Sequence, residues 1–162
     1  MDKIDYQIIG FLLADGCFMI IKNKRVRKYQ GKRVGQKEYE FVNYTPRINI
    51  SQREDNIAVL EYAQKRYGGY VLRNRSFDKD PNYHRVFYWV VQNFPQCLKL
   101  AEMTIKSDLP HHKKEAAKVM RDFCGLSMKR KKGKYDIIEL EQAQKYYEAI
   151  REANTFKAVT SR

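Results

Sequence analysis

Apolar residues fill every position from Ile8 to Ala14, and the run stops at Asp15-Gly16. Such a run reads as a buried helix, with Gly16 expected to supply the left-handed residue that ends it. Cys17, Phe18, Met19, Ile20 and Ile21 then begin a strand that turns basic at Lys22, Lys24, Arg25, Arg27 and Lys28. A loop around residues 31–35 precedes the return over residues 38–50. There the alternation is clean, with Val42, Tyr44, Ile48 and Ile50 on one face and Asn43, Thr45, Arg47 and Asn49 on the other. This is the pattern of a half-buried antiparallel strand whose open face carries hydrogen-bonding side chains.

Ser51-Gln52-Arg53-Glu54 has the form of a capping box, so a helix is expected to begin there. Ile57, Leu60, Ala63 or Gln64, and Tyr67 give that helix its stripe, and Gly68-Gly69 ends it. A second hairpin follows, with one strand over residues 70–75, the other over 83–91 and a turn at Asp80-Pro81-Asn82. A third helix is expected over residues 95–105 and a fourth from Asp108 to a stop at Gly125. The basic stretch 127–134 reads as a linker to a last helix over 136–151. Strands joined only by turns pair antiparallel, so the fold class is α+β: an αββαββα order, with a four-stranded antiparallel sheet, helices on one face and a polar, basic saddle on the other. Residues 1–162 are of a length for one domain, with the linker and helical C-terminal region over 126–162.

The first helix carries choices that stability alone would avoid. Gly10 costs about 1 kcal/mol relative to alanine in a helix interior. Asp15 places negative charge at the negative end of the helix dipole, unfavourable by roughly 0.3–1 kcal/mol. Gly10 and Ala14 are four apart, so one face is stripped of side chains and a second backbone can approach it closely. The residues ask for a tightly paired helix with a carboxylate at its tip.

The charge narrows the partners. With 32 Lys+Arg against 19 Asp+Glu the chain carries +13, and no acidic residue occurs from Gly16 to Lys37. Such an excess suits a polyanion. Cys17, Cys97 and Cys124 are odd in number and show no metal-binding spacing, and no signal peptide is evident, so reduced thiols in an intracellular protein of the cytoplasm or an organelle are expected. No apolar run approaches the roughly 20 residues that span a bilayer, and no membrane partner is expected.

The stretch Ile8-Ile9-Gly10-Phe11-Leu12-Leu13-Ala14-Asp15-Gly16 resembles the signature helix of the LAGLIDADG homing endonucleases, in the type with one motif per chain. The order of elements agrees with that family over nearly the whole length. The resemblance implies a homodimer paired through Gly10, Phe11 and Ala14. It also implies Mg²⁺, with Mn²⁺ as a substitute, held by Asp15 with the backbone carbonyls of Gly16 and, secondarily, Ala14. Gln52 falls where the family places a polar residue that orders water. Lys113 matches its basic residue beside the water network, with Lys114 a near-equal alternative one position on. Catalytic roles are therefore expected for Asp15, Gln52 and Lys113. The chain departs from the pattern where Leu13 replaces an acid and Asn56 stands in place of an arginine found in some relatives.

A double-stranded DNA target is the expected partner, read across the saddle. Asn, Thr and Arg suit base edges in a major groove, which nominates Asn43, Thr45, Arg47 and Asn49, with Arg25, Arg27, Arg73, Arg75 and Arg85 from neighbouring strands. Lys28, Lys32 and Arg33 are placed near phosphates at the hairpin loop, and Lys129, Arg130, Lys131 and Lys132 as backbone clamps. For the fourth strand, the face bearing Arg85, Phe87 and Trp89 and the face bearing Val86 and Tyr88 stay equally open. The activity implied is metal-dependent cleavage of a long pseudo-palindromic site, leaving short 3′ overhangs and promoting intron or intervening-sequence mobility. The alternative is an RNA-binding intron maturase of the same fold that does not cut DNA.

Overall fold

The computed structural model describes residues 3–31, 34–75, 85–108, 113–130 and 135–155, and the backbone alone for 26–31 and 34–40. In chain order the elements are α1 (Lys3–Ala14), β1 (Gly16–Gly31), β2 (Val34–Arg53), a 3₁₀ turn (Glu54–Asn56), α2 (Ile57–Tyr67), β3 (Tyr70–Arg73), β4 (Val86–Val91), α3 (Phe94–Lys106), α4 (Lys113–Lys129) and α5 (Ile137–Asn154). The four strands form one antiparallel sheet in the order β1-β2-β4-β3.

Alternation decides which face the helices cover. Phe18 and Ile20 of β1, Tyr44, Ile48 and Ile50 of β2, and Trp89 and Val91 of β4 are all buried in one core with Ile8, Leu12, Leu60, Leu100, Met120 and Phe123 from the helices. Their odd-numbered neighbours in β2, Asn43 to Asn49, stay half-buried on the far face. Pro46 is tolerated because pairing between β2 and β4 begins only at Ile48, so no strand there needs its missing N–H. The residues of β4 settle their own phase: Trp89 is fully buried on the helix side and donates through Nε1 to the Gly68 carbonyl at 2.8 Å.

Several local expectations are corrected. Gly16 is not left-handed; among the described residues positive φ is confined to Gly68 and Gly69, at 73° and 83°. Gly16 is required for a different reason, since a Cβ there would run into the Leu12 backbone, with its Cα at 2.7 Å. The residues 51–54 do not open a helix. Ser51 and Gln52 continue β2 opposite Tyr88 and Phe87, and α2 starts at Ile57. A second strand satisfies the backbone groups that a cap would have served, while Glu54 turns outward to Arg85 at 3.2 Å. Nor does Gly125 stop α4, which runs on to Lys129. Four residues expected in the linker or at its boundary are therefore helical. Gly125 faces open space there, so no turn forces it out of the helix. The working capping box lies at the start of α5, where Asp136 and Glu139 exchange hydrogen bonds with each other's backbone.

Helix α5 closes over β1. Lys22 donates to Gln144 at 2.7 Å, Tyr44 donates to the same oxygen at 2.5 Å, and Asn154 donates to the Phe18 carbonyl at 2.7 Å. Lys22 thus belongs to this polar seam under α5, and the saddle loses one of the basic residues of its strand.

The near end of α1 is pinned by a buried acid. Asp5, 6% exposed, accepts from Arg66 Nε at 2.9 Å and Nη2 at 3.3 Å, and from the Tyr67 hydroxyl. Burial, and then the bond to Asp5, push the Tyr67 phenol up to about 12. Because Arg66 stays well solvated, Asp5→Ala is expected to cost about 2 kcal/mol in urea unfolding, the order of hydrogen bonds to a charged group. An unchanged unfolding midpoint would show that α1 is held by its apolar face alone.

Candidate functional site

Three chain segments meet at the far end of α1. The helix finishes with Asp15, whose N–H still donates to the Phe11 carbonyl at 2.9 Å, leaving its exposed carboxylate just past the last turn. Continuing the alternation of β2 beyond Ile48 and Ile50 brings Gln52 to the helix side of the sheet. Its amide nitrogen donates to Asp15 Oδ2 at 3.1 Å. Lys113, the first residue of α4, donates through Nζ to the Ala14 carbonyl at 2.7 Å. Burial pushes its ammonium below the usual lysine range, while the charges of Cys17 and Asp15 pull the other way.

The adjacent lysines are separated by this geometry. Lys114 donates to the Ser107 carbonyl beyond the end of α3, turned away from Asp15. Lys113 is the one that faces the carboxylate. Cys17 completes the surroundings as a half-buried thiol, raised by burial and lowered by Lys113.

A hard cation suits Asp15, an exposed oxygen donor, but the described residues offer no complete set. Among the described residues no group of three or more His, Cys, Asp or Glu side chains could hold a metal. The Ala14 carbonyl is taken by an ammonium, which disfavours a second cation on that oxygen, while Gly16 opens β1 opposite Ile50. Magnesium is commonly held by one or two carboxylates together with phosphate oxygens and water. The donors present fit one half of such a site.

The outer face of α1 is bare. A Cβ on Gly10 would meet nothing within 4 Å, and Ala14 is exposed, so this chain's own packing requires neither small residue. Phe11, the third residue expected at a pairing surface, is half-buried and already leans on the core.

On the saddle, Asn43, Thr45, Arg47 and Asn49 share one face, opposite Asn23, Ile21, Met19 and Cys17 of β1. Asn23 donates to Thr45 Oγ1 at 3.3 Å, and Arg25 is exposed across from Phe41. The arginines of the second hairpin are placed otherwise than expected. Arg73 pairs with Phe87, which pairs with Gln52, so alternation puts Arg73 on the helix side. The saddle side of β3 holds Tyr70 and Leu72, the latter 49% exposed. Arg75 lies beyond the strand and is exposed, and Arg85 is ion-paired with Glu54. Lys129 ends α4, whereas Arg130 is half-buried with its guanidinium 3.7 Å from the Tyr135 ring centre, a packing role that ill suits a clamp. Arg27 and Lys28 are described by their backbone in β1 only. Lys32, Arg33, Lys131 and Lys132 lie outside the described residues. Sequence reasoning passed over Gln92, because it sits just after a strand and carries no charge.

Comparisons with known proteins identify the family and the fold. The sequence profile of a family described as LAGLIDADG endonuclease matches residues 8–115, spanning the α1 tip, the whole sheet and Lys113. The homing endonuclease I-TnaI is similar in fold, with a TM-score of 0.65 at 19% identity over 96% of this chain and 90% of its own. I-CvuI, solved in complex with the I-CreI target, has a TM-score of 0.61 at 16% identity over 98% of this chain and 85% of its own. I-SmaMI, bound to an uncleaved DNA target in the presence of calcium ions, gives 0.61 at 18% identity over 91% of this chain but only 45% of its own. No curated protein matches. Within the described residues no helix is long and apolar enough to cross a membrane.

Proposed function

Because the chain belongs to the LAGLIDADG endonuclease family, we propose that it acts as a homodimer that cuts double-stranded DNA at a specific, roughly palindromic site with Mg²⁺. The observation that carries this reading is the meeting of Gln52, Asp15 and Lys113 at the tip of a helix whose Gly10–Ala14 face is open. Two such helices laid together would bring two carboxylates to one place, supplying the half-site missing among the described residues of one chain. The fold fills 90% of I-TnaI but 45% of the longer I-SmaMI chain, which agrees with one unit of a two-unit architecture. The solved relatives named with DNA targets support DNA as the partner.

Each residue then has a task. Asp15 holds the divalent ion, which supplies Lewis-acid stabilisation of phosphate charge and a more acidic water when bound. Gln52 orients the carboxylate through Oδ2 and offers its amide to a water beside it. Lys113 is fixed by the Ala14 carbonyl within range of Asp15, where its positive charge stabilises negative charge developing on the phosphate. Its partial burial strengthens that interaction. Lys113→Met is accordingly expected to lower the cleavage rate roughly a hundredfold, the usual effect of removing one charge-stabilising donor. Lys114→Met should leave the rate nearly unchanged. Equal losses from the two would refute the distinction between them.

The proposed reaction leaves short 3′ overhangs and serves to spread an intron or intervening sequence. Incubation with a randomised DNA library and Mg²⁺, followed by sequencing of the cut ends, tests it. Recurrent ends from one pseudo-palindrome are expected. An intact library, with tight retention of structured RNA, would instead favour the maturase reading.

A further inference from the structure

We infer that Gln92 is a positioning residue that holds Arg47 as the reader of one guanine in each half of the DNA site, an inference that rests on the DNA-endonuclease reading. The two residues face each other across the saddle. β2 and β4 pair Ile48 with Val91 and Asn49 with Val90, so the next step of the register sets Arg47 opposite Gln92. With the Gln92 amide oriented to satisfy both of its ends, its oxygen accepts from Arg47 Nη2 at 2.6 Å and Nε at 2.8 Å. Its nitrogen donates to the Tyr70 hydroxyl at 2.9 Å.

This contact uses one edge of the guanidinium and frees another. Nε and the inner hydrogen of Nη2 are engaged, leaving the two hydrogens of Nη1 and the outer one of Nη2. The remaining Nη1/Nη2 end is a parallel pair of donors, the geometry that matches O6 and N7 of guanine in the major groove. Tyr70 anchors the far end of the relay. It follows Gly69, whose positive φ and close approach to the Val90 carbonyl fix where β3 begins.

The choice of an amide is informative. Arg53, Arg66, Arg85 and Arg121 each sit against a carboxylate, which cancels the charge. A neutral amide restrains Arg47 and leaves its full positive charge for a polyanion. An arginine held in advance also loses less rotamer freedom on binding, which converts to a gain of about threefold to tenfold.

The test is a binding selection from randomised DNA with wild type, Arg47→Ala, Gln92→Leu and Gln92→Glu, reading the base preference at every position. Arg47→Ala is expected to lower one guanine preference per half-site by about tenfold to a hundredfold. Gln92→Leu should relax the same position by about threefold to tenfold and no other. Gln92→Glu keeps the acceptor oxygen, so it should restore the preference at that position even as overall affinity falls. A structural role for Gln92 would weaken all positions alike. A Gln92→Leu profile identical to wild type, or no guanine position lost in Arg47→Ala, overturns the inference and leaves the endonuclease reading intact. Wild type that selects no DNA sequence overturns both.

Discussion

Asp15→Asn is expected to abolish cleavage, by at least about a thousandfold, while binding to the target falls by less than about tenfold. The substitution keeps the shape of the side chain and an oxygen able to accept from Gln52, so the α1 tip and the end of β2 remain joined. What it removes is the negative charge, and with it the hard anionic donor a divalent ion needs. The residues that would contact DNA on the saddle alternate with Gln52 along β2, so the substitution changes none of their own contacts. Strand-cleavage assays beside gel-shift titrations measure both on one preparation. A variant that cuts at the wild-type rate removes Asp15 from the chemistry, and one that loses binding in parallel makes the carboxylate a structural group.

Gly10→Leu is expected to separate the subunits of the proposed dimer, raising its dissociation constant by about a hundredfold or more. Two leucines would meet at a symmetric contact, and overpacking costs about 1–3 kcal/mol for each side chain inserted. The single chain has no such objection, because a Cβ at Gly10 meets nothing within 4 Å of it. Leucine is also the better helix former by almost 1 kcal/mol. The secondary structure and the unfolding of the monomer should therefore hold or improve while association fails, a combination that a general folding defect cannot produce. Sedimentation across a concentration series, paired with thermal melts, distinguishes the outcomes. A tight dimer formed by the Gly10→Leu variant would place the interface elsewhere.

The parts of this fold legible in the chain are those where one strong local signal goes uncontested. Alternation from Val42 to Ile50 identified the core face of β2, and Gly68-Gly69 marked the end of α2 because nothing else tolerates that backbone. The Gly10–Ala14 stripe and Asp15 were visible for the same reason. Signals that compete across the fold were misread. Ser51-Gln52-Arg53-Glu54 satisfies the rule for a helix start, yet β4 offers its backbone a better set of partners. Gly125 looks like a stop, but α4 packs against α3 and α5 through Ala116, Met120 and Phe123 and carries the helix past it. Arg73 and Arg75 are two apart, yet β3 ends at Arg73, and only its pairing with β4 reveals which face Arg73 takes.

The chain alone determined a basic α+β fold, a bare helix face and one acid at its tip, because each is written in residues close together in sequence. Tertiary structure decided the company that acid keeps. Gln52 reaches Asp15 only because β2 runs three residues beyond the expected strand end at Ile50, and Lys113 rather than Lys114 faces it because the start of α4 brings Lys113 to the Ala14 carbonyl and Lys114 to the Ser107 carbonyl. Gln92 reaches Arg47 through strand register. Contacts between residues 37 to 99 positions apart depend on how whole elements pack, and no local pattern encodes that.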